Sequence, residues 1–399
     1  MMKLSNRVES MQASPIRKFV PFADAAKAKG VKVYHLNIGQ PDIETPKEMM
    51  NVYHNFSDKV LSYGPSQGLA SYRKALVTYY KNNNIFVKEE DIIVTTAGSE
   101  AITFAMMATC NPNDEILVPE PFYTNYNGFA SIAGVKLVPI MTYAETGFAL
   151  PERAEIEKLI TPRTKAIMIC NPGNPTGKVY TRENVEMVAD IGRKNRLYVI
   201  SDEVYREFVY DGLKSTSIME IDNVDDIAII VDSISKRYSA CGARIGCIIS
   251  RNKNLMGGVL KLAQARLCPP TVDQKAAEAC VALGDDYINA IKDEYSKRRD
   301  IVFEELQRID GVVCVKPEGA FYIVAKLPIE NAEHFAQWML EEYRFNNETT
   351  MVAPATGFYA TPNVGLNEVR LAYILKEEDL RKAMAILKSG LDAYKKVAK

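Results

Sequence analysis

Histidine is scarce in this chain, which contains only His35, His54 and His334 among its 399 residues. None of the three has the spacing of a metal ligand, so we expect no metal, no zinc site and no Ser-His-Asp triad. Disulfide pairing is not indicated either, because the seven cysteines are an odd number and include no C-x-x-C pair. This pattern favours a reducing compartment, and we predict a cytoplasmic protein.

Long apolar segments and an excess of one charge are also missing. No apolar run approaches the length of a membrane span, about 18 residues, and Met1-Met2-Lys3-Leu4 leads into no signal-peptide core. The net charge of -1 gives no electrostatic reason to expect nucleic acid or a membrane surface as a partner. The balance of 47% hydrophobic and 25% charged residues predicts an ordinary globular protein of two or three domains.

Between residues 91 and 250 the chain alternates short apolar runs with helical segments. The strand candidates are residues 92–95, 116–119, 135–139, 166–170, 197–201, 227–231 and 246–249. Such alternation predicts an α/β fold with a mainly parallel sheet covered by helices on both faces. Ligands of such sheets bind at the carboxyl ends of the strands, so the residues that follow each strand are the functional candidates.

The sixth strand candidate is followed by Ser233 and Lys236, with Arg244 further along. A lysine on a short turn beyond a buried strand can be partly desolvated, which favours its neutral, nucleophilic amine. The hydroxyl and the forked cation both suit a phosphate dianion. An amine that condenses with an aldehyde beside a phosphate site suggests a Schiff base of pyridoxal phosphate (PLP). This stretch alone leaves open a surface lysine in a basic loop.

Polar and aromatic residues follow other strand candidates. Gly98 and Ser99 lead into a helix whose free N–H groups could hold phosphate, although Ser99 could be a plain N-cap. Tyr123 could stack on a flat cofactor ring or belong to the core.

Two further strand ends carry an amide and an acid. Asn174 lies in the loop 171–177, whose two prolines and two glycines can aim its amide. Asp202 emerges from a buried strand, where a pyridinium nitrogen would pair with it, or it could cap a helix.

Together these stretches resemble the class I/II aminotransferases, the fold-type-I PLP enzymes of the aspartate aminotransferase superfamily. The matching text is TAGSEA at 96–101, NPGNPTG at 171–177, SDEVY at 201–205, S-x-S-K-x7-R-I-G at 233–246, PEGAFY at 317–322 and EVRLAY at 368–373. The resemblance extends from Gly39 to the C-terminus. It implies PLP fold type I, with a large domain around a seven-stranded mainly parallel sheet and a smaller α/β domain.

The resemblance also implies domain boundaries and a dimer. The N-terminal arm would comprise residues 1–47, the large PLP-binding domain 48–290 and the small C-terminal domain 291–399.

In the C-terminal third, helical spacing predicts helices over 284–309 and 377–396, and strands are expected at 312–316, 321–326 and 368–372. In the arm we expect a helix from Ser14 towards Gly30 and a strand at 34–38.

Cofactor roles follow from the resemblance, residue by residue. Lys236 would form the Schiff base and shuttle a proton, and Asp202 would keep the pyridine nitrogen protonated. The other cofactor contacts would come from Tyr123, Asn174, Tyr205, Ser233, Arg244, the backbone of Gly98, Ser99 and Glu100, and Tyr63 across a homodimer interface.

Substrate roles follow in the same way. Arg370 would bind the α-carboxylate, helped by Asn174 and the backbone near Gly39; bidentate carboxylate binding also suits arginine physically. The implied reaction is a ping-pong exchange of an amino group between an L-amino acid, aspartate-like by preference, and a 2-oxo acid such as 2-oxoglutarate. The alternatives are a C–S β-lyase on the same scaffold and a PLP-sensing transcription regulator.

The sequence departs from the family pattern at several positions. Cys241 and Ala243 stand where many relatives have threonine and tryptophan, which alters the packing beside Arg244. Ser99 stands where some aspartate-specific relatives have a lysine near the substrate side chain. We expect Arg266, the nearest other cation, to approach the distal carboxylate loosely, with a structural arginine as the alternative.

Overall fold

The computed structural model describes residues 2–9 and 11–397. Within those residues the strands are β1 (Lys32–His35), β2 (Ile92–Thr96), β3 (Glu115–Glu120), β4 (Lys136–Met141), β5 (Thr164–Cys170), β6 (Tyr198–Asp202), β7 (Ala228–Ser233), β8 (Ile245–Ile249), β9 (Tyr322–Lys326), β10 (Glu348–Met351), β11 (Ala353–Pro354) and β12 (Glu368–Ala372). The helices are α1 (Asn6–Glu9), α2 (Val20–Ala28), α3 (Lys47–His54), α4 (Ala70–Asn82), α5 (Ala97–Thr109), α6 (Asn125–Ala133), α7 (Arg153–Glu157), α8 (Arg182–Asn195), α9 (Ile234–Arg237), α10 (Lys253–Arg266), α11 (Thr271–Cys280), α12 (Asp285–Gln307), α13 (Ala332–Glu341) and α14 (Glu377–Val397).

The large sheet contains all seven strand candidates of the central region. Its strands lie in the order β2-β8-β7-β6-β5-β3-β4. The pairs from β7 through β4 are parallel, and β8 runs antiparallel to both of its neighbours. The prediction of a seven-stranded, mainly parallel sheet is therefore confirmed.

Helices cover both faces of this sheet, because its strands are apolar on both sides. In β5, Ile167 and Ile169 belong to one hydrophobic cluster, whereas Ala166 and Met168 belong to a second cluster on the other face. This is the burial expected of a parallel sheet between helical layers. Helix α8, which begins after the N-cap Thr181, packs on the first face, and α5 packs on the second.

The C-terminal third forms a smaller α/β unit around the three-stranded sheet β11-β12-β9. The expected strands at 321–326 and 368–372 are present as β9 and β12, and the two expected helices are α12 and α14. Strand β1 of the arm pairs in parallel with β10, so the arm joins this unit. The domain boundaries at 47 and 290 stay predictions.

The prediction of a strand at 312–316 was wrong. The segment makes one isolated bridge, in which Val313 exchanges two 2.9 Å backbone hydrogen bonds with Lys326. Pro317 has no amide N–H to continue the ladder, and the next two residues donate to the carbonyl of Gly177 instead. The arm also differs from expectation, since a 3-10 turn at Arg17–Phe19 precedes α2 and β1 begins earlier than residue 34.

No helix in the described part of the chain is long and apolar enough to cross a membrane.

Candidate active site

A cavity of about 430 Å³ lies at the carboxyl ends of the parallel strands. The large unit, the small unit and the arm all contribute to its walls. The predicted site residues that line it are Gly39, Gly98, Ser99, Tyr123, Asn174, Asp202, Tyr205, Ser233, Lys236, Arg244 and Arg370. The fold therefore gathers residues that are up to 331 positions apart in the sequence, from Gly39 to Arg370.

Lys236 lies on the short helix α9, directly beyond β7. Its Nζ donates a 2.8 Å hydrogen bond to the carbonyl oxygen of Gly39 and lies 3.6 Å from Sγ of Cys241. The preceding turn is fixed because the hydroxyl of Ser233 accepts a 3.2 Å hydrogen bond from the amide of Ser235. The amine is thus half-buried and aimed into the cavity on a short, capped turn.

A buried ion cluster holds α9 against the sheet. Oδ2 of Asp232 accepts 2.6 Å hydrogen bonds from Arg237 and from the hydroxyl of Tyr80, and lies 3.3 Å from Arg206. Burial alone would raise the pKa of Asp232, but Arg237 and Arg206 outweigh it and lower that pKa to about 2. Arg237, which directly follows Lys236, is therefore anchored on the side of α9 away from the cavity.

Asp202 stands at the end of β6 and is almost fully buried. Its Oδ2 accepts a 2.6 Å hydrogen bond from the hydroxyl of Tyr126, and its Oδ1 a 3.3 Å bond from the amide of Val204. Burial raises the pKa of Asp202 to about 6 despite these two donors. A cationic partner in the cavity would therefore stabilise the charged form of this buried carboxylate.

Hydrogen-bond donors suited to a phosphate gather elsewhere in the cavity wall. The first turn of α5 meets Ser233, Ser235 and Arg244 there. Arg244 adopts a left-handed backbone with φ 57° and donates through its guanidinium to the carbonyl of Cys241 at 2.9 Å. Free N–H groups at a helix start, hydroxyls and a guanidinium form a donor set that matches a phosphate dianion.

Gly246 lets strand β8 approach this helix start closely. A Cβ there would lie 2.5 Å from the backbone carbon of Ala97 and 2.7 Å from the amide nitrogen of Gly98. Since real Cβ atoms never come so near, only glycine fits. The glycine of the R-I-G motif therefore brings Arg244 and the α5 N–H groups to the same wall.

Arg370 is 2% exposed and lies on β12 of the small unit. Its guanidinium donates to Oδ1 of Asn174 at 3.1 Å and to the carbonyl of Asn37 at 2.6 Å. Burial lowers its pKa, and its Nε has no partner among the described residues. A buried arginine that lines a cavity and has a donor without a partner is suited to take a carboxylate.

Two tyrosines complete the wall beside Arg370. The hydroxyls of Tyr205 and Tyr322 are 2.7 Å apart, and the guanidinium of Arg370 lies 4.4 Å from the Tyr322 ring centroid. A Cβ on Gly39 would lie 1.9 Å from the Tyr322 hydroxyl, so glycine is required where the arm passes. Burial raises the pKa of Tyr205, which keeps its phenol a neutral donor.

Tyr123 contributes a ring to the cavity wall. It packs edge-on against Tyr126 with 5.5 Å between the ring centroids, and its hydroxyl accepts a 2.8 Å hydrogen bond from Asn125. Burial raises its pKa to about 12. One face of a planar ligand could therefore meet a neutral phenol.

Three expected site residues do not line this chain's cavity. The carboxylate of Glu100 accepts from the amide of Thr96 at 2.8 Å and pairs with Arg266 at 2.9 Å. Arg266 also donates to the carbonyls of Ser66 at 3.0 Å and Val94 at 3.2 Å, an arrangement that favours the structural alternative. Tyr63 is 82% exposed, and a role across a subunit boundary stays a prediction.

The sequence reading missed three residues that the structure adds to the site. The hydroxyl of Tyr126 donates a hydrogen bond to Asp202. The hydroxyl of Ser235 lies 2.8 Å from that of Ser233, among the donors suited to a phosphate. Tyr322 pairs with Tyr205 and ends the PEGAFY motif that carried the resemblance, so that motif could have pointed to it.

PLP fits this set of groups. A buried carboxylate suits a protonated pyridine nitrogen, a half-buried amine suits the aldehyde, and the donors near α5 suit the phosphate. No group of three or more His, Cys, Asp or Glu side chains in the described chain could hold a metal ion.

Comparison with known proteins identifies the family. The family model for aminotransferase class I and II matches residues 31–389. The chain is 31% identical to aromatic-amino-acid aminotransferase 2 of Thermococcus litoralis, over 99% of this chain and 100% of that protein. It is 32% identical to an aspartate aminotransferase of Pyrococcus abyssi, over 96% and 97% respectively.

A solved structure shows the same fold. An alanine aminotransferase from Pyrococcus furiosus superposes with a TM-score of 0.90 at 32% identity, covering 98% of this chain and 100% of that one. The chain therefore belongs to the class I and II aminotransferases, and it is a PLP-dependent aminotransferase of fold type I.

Proposed function

We propose that this enzyme transfers the amino group of an L-amino acid, aspartate-like by preference, to a 2-oxo acid such as 2-oxoglutarate in a ping-pong reaction. The observation that carries the proposal is the buried guanidinium of Arg370, whose Nε lacks a partner among the described residues. It lines the same cavity as Lys236 and Asp202. A carboxylate held there would place the α-carbon of an amino acid between these two groups.

PLP would be bound by the residues already described, and it supplies an electron sink that makes the α-proton of the substrate acidic. Asp202 would hold a proton on the pyridine nitrogen, because an ion pair relieves the burial of its carboxylate. Tyr205 and Asn174 would donate to the phenolic oxygen of the cofactor, and Tyr123 would contribute an aromatic contact. Ser233, Arg244 and the amides of Gly98 and Ser99 would hold the phosphate.

Lys236 both binds the cofactor and moves protons in this proposal. Once its amine is uncombined, Nζ would take the proton from the substrate α-carbon as a general base. The turn capped by Ser233 and anchored through Arg237 keeps this amine in place while it is uncombined. Fixed geometry of this kind contributes to the rate because the base meets the α-carbon without reorganisation.

Arg370 binds the α-carboxylate of the substrate, with Asn174 and the backbone near Gly39 beside it. The Nε that lacks a partner supplies one new charge-assisted hydrogen bond. Because the guanidinium is already held by Asn174 and by the carbonyl of Asn37, little side-chain entropy is lost on binding.

A homodimer and a cytoplasmic location are further parts of the proposal. Tyr63, largely exposed in one chain, would reach the phosphate of the other subunit. A dimer would bury it, together with the exposed Val60 and Leu61 beside it. Sedimentation of the active enzyme at assay concentration should give twice the chain mass, and a fully active monomer would rule the dimer out.

The experiment that tests the reaction is a donor screen with the cofactor-loaded enzyme and 2-oxoglutarate. The panel should contain aspartate, alanine and phenylalanine, since the relatives named above carry aspartate, alanine and aromatic names. We expect glutamate to form in proportion to donor consumed, with no release of ammonia. Steady ammonia and 2-oxo acid production from a sulfur-containing donor without any acceptor would instead identify a β-lyase.

A further inference from the structure

The cavity has one cation that the proposed reaction does not use. Among the described residues that line it, the charged side chains are Arg17, Asp202, Lys236, Arg244 and Arg370. Lys236 binds the cofactor, Arg244 faces its phosphate and Arg370 takes the α-carboxylate. Arg17, from the N-terminal arm, has no role in these steps.

The residues that follow Arg17 fix its position. It begins the 3-10 turn Arg17–Phe19, whose first amide bonds to the carbonyl of Ser14 at 3.2 Å. Phe19 is buried in the core of the small unit, and Nζ of Lys18 pairs with Glu333 at 2.5 Å. With these two side chains anchored elsewhere, the turn presents Arg17 to the cavity.

The guanidinium of Arg17 is free to bind a ligand. No hydrogen bond or ion pair of this group occurs among residues 2–9 and 11–397, where Arg17 bonds only through its backbone amide and carbonyl. Ile16, Val20 and the exposed Ile38 also line the cavity. A substrate side chain would therefore meet apolar surface together with one unpaired cation.

Other expected partners for a second carboxylate are missing from this cavity. Ser99 carries no charge, and Arg266 is occupied by Glu100 and two carbonyls. A second carboxylate is costly to enclose without a cation or several donors. Arg17 is the cation that the chain offers at the cavity wall.

We infer that Arg17 binds the distal carboxylate of a dicarboxylic amino acid or oxo acid, from the same subunit that carries Lys236. The inference rests on the proposed function, since it names the side-chain selector of that same site. Because Arg17 is exposed and apolar residues line the same cavity, uncharged side chains remain acceptable. The enzyme should favour dicarboxylates without excluding alanine or phenylalanine.

The test compares Arg17→Met with Lys27→Met, a matched loss of one cation from the exposed surface of the following helix α2. With Arg17→Met we expect kcat/KM for aspartate and 2-oxoglutarate to fall about 10- to 100-fold, as for loss of a charge-assisted hydrogen bond, while that for alanine changes less than about threefold. Lys27→Met should leave the ratio of kcat/KM for aspartate to that for alanine unchanged. Arg17→Lys should recover part of the loss.

Binding of maleate to the cofactor-loaded enzyme, measured by calorimetry, gives a readout that does not require turnover. The dissociation constant of maleate should rise about 10- to 100-fold in Arg17→Met and stay unchanged in Lys27→Met. An unchanged maleate affinity, or equal losses for aspartate and alanine, would overturn the role of Arg17. Failure of the proposed function is a separate result, because the parent enzyme would then transaminate no amino acid.

Discussion

The hydroxyl of Tyr126 donates a 2.6 Å hydrogen bond to Oδ2 of Asp202, and both residues are buried. Apart from the amide of Val204, this hydroxyl is the donor that stabilises the carboxylate before any ligand arrives. It works against burial, which raises the pKa of Asp202 to about 6. Tyr126 therefore helps to keep the carboxylate charged for its proposed partner, the pyridine nitrogen.

Tyr126→Phe should shift the pH dependence of the reaction. Without the hydroxyl, the pKa of Asp202 rises further, so the acidic limb of the kcat/KM profile should move to higher pH. PLP affinity should also fall, by about tenfold for one lost hydrogen bond. Tyr180→Phe, another buried tyrosine of the large unit, is the control. If the acidic limb of the kcat/KM profile did not move, the Tyr126 hydroxyl would have no electrostatic effect on Asp202.

Asp202→Asn should stabilise the cofactor-free protein at alkaline pH. The folded pKa of about 6 lies above the ordinary 3.8, so the folded state binds more protons between these values. Stability of the parent protein therefore falls as pH rises through this window. At about pH 8 the buried carboxylate costs up to about 3 kcal/mol, at 1.36 kcal/mol per pKa unit, and asparagine removes this cost.

Urea unfolding of the two cofactor-free proteins at about pH 8 and about pH 4 checks this prediction. The variant should have the higher midpoint at the alkaline pH, and the difference should shrink at the acidic one. PLP should stabilise the variant less than the parent. A variant that is less stable than the parent at alkaline pH would contradict the electrostatic account of Asp202.

Arg370→Lys should raise KM for every amino donor, charged or uncharged. Lysine keeps the charge but cannot bind Asn174, the carbonyl of Asn37 and a carboxylate in one planar arrangement. We expect kcat/KM to fall about 100-fold for aspartate and for alanine alike. Arg381→Lys, on the exposed face of helix α14, serves as the control. A loss confined to aspartate would mean that Arg370 reads the side chain instead.

Arg237→Met should unfold the turn that carries Lys236. The substitution leaves Asp232 and Glu207 without the cation that lies 2.6 Å and 2.7 Å from them, in a buried setting. Removing one partner of a buried ion pair costs about 3–5 kcal/mol. Arg153→Met, which removes an exposed pair with Glu157 at 3.2 Å, should cost less than about 1 kcal/mol. Equal midpoints in urea, at one protein concentration, would refute the proposed anchoring.

Residues inside the strand-end motifs could be placed from the sequence. Lys236, Asp202 and Asn174 follow strands whose apolar runs were evident, so the sheet rule brought them to one edge. Arg370 could be placed only through the resemblance, since it sits within a strand of another sheet.

Residues outside such motifs could not be placed. Tyr126 reads as one more core aromatic of α6, and its bond to Asp202 spans 76 positions. The sequence predicts that Arg266 approaches the distal carboxylate because it lies near two prolines. In the structure it pairs with Glu100, 166 positions away in the sequence. No sequence motif marks Arg17. Its position at the cavity wall depends on the contact of Lys18 with Glu333 and on the burial of Phe19 in the core of the small unit.

The most direct test of the account is one half-reaction with the cofactor-loaded enzyme and aspartate, without any oxo acid acceptor. We predict release of one equivalent of oxo acid per subunit and then a stop, with no ammonia. Adding 2-oxoglutarate should form one equivalent of glutamate and restore the original cofactor spectrum. Lys236→Ala should show neither step and no cofactor trapped by borohydride. Continuous product release without acceptor, or an unimpaired Lys236→Ala enzyme, would contradict the account.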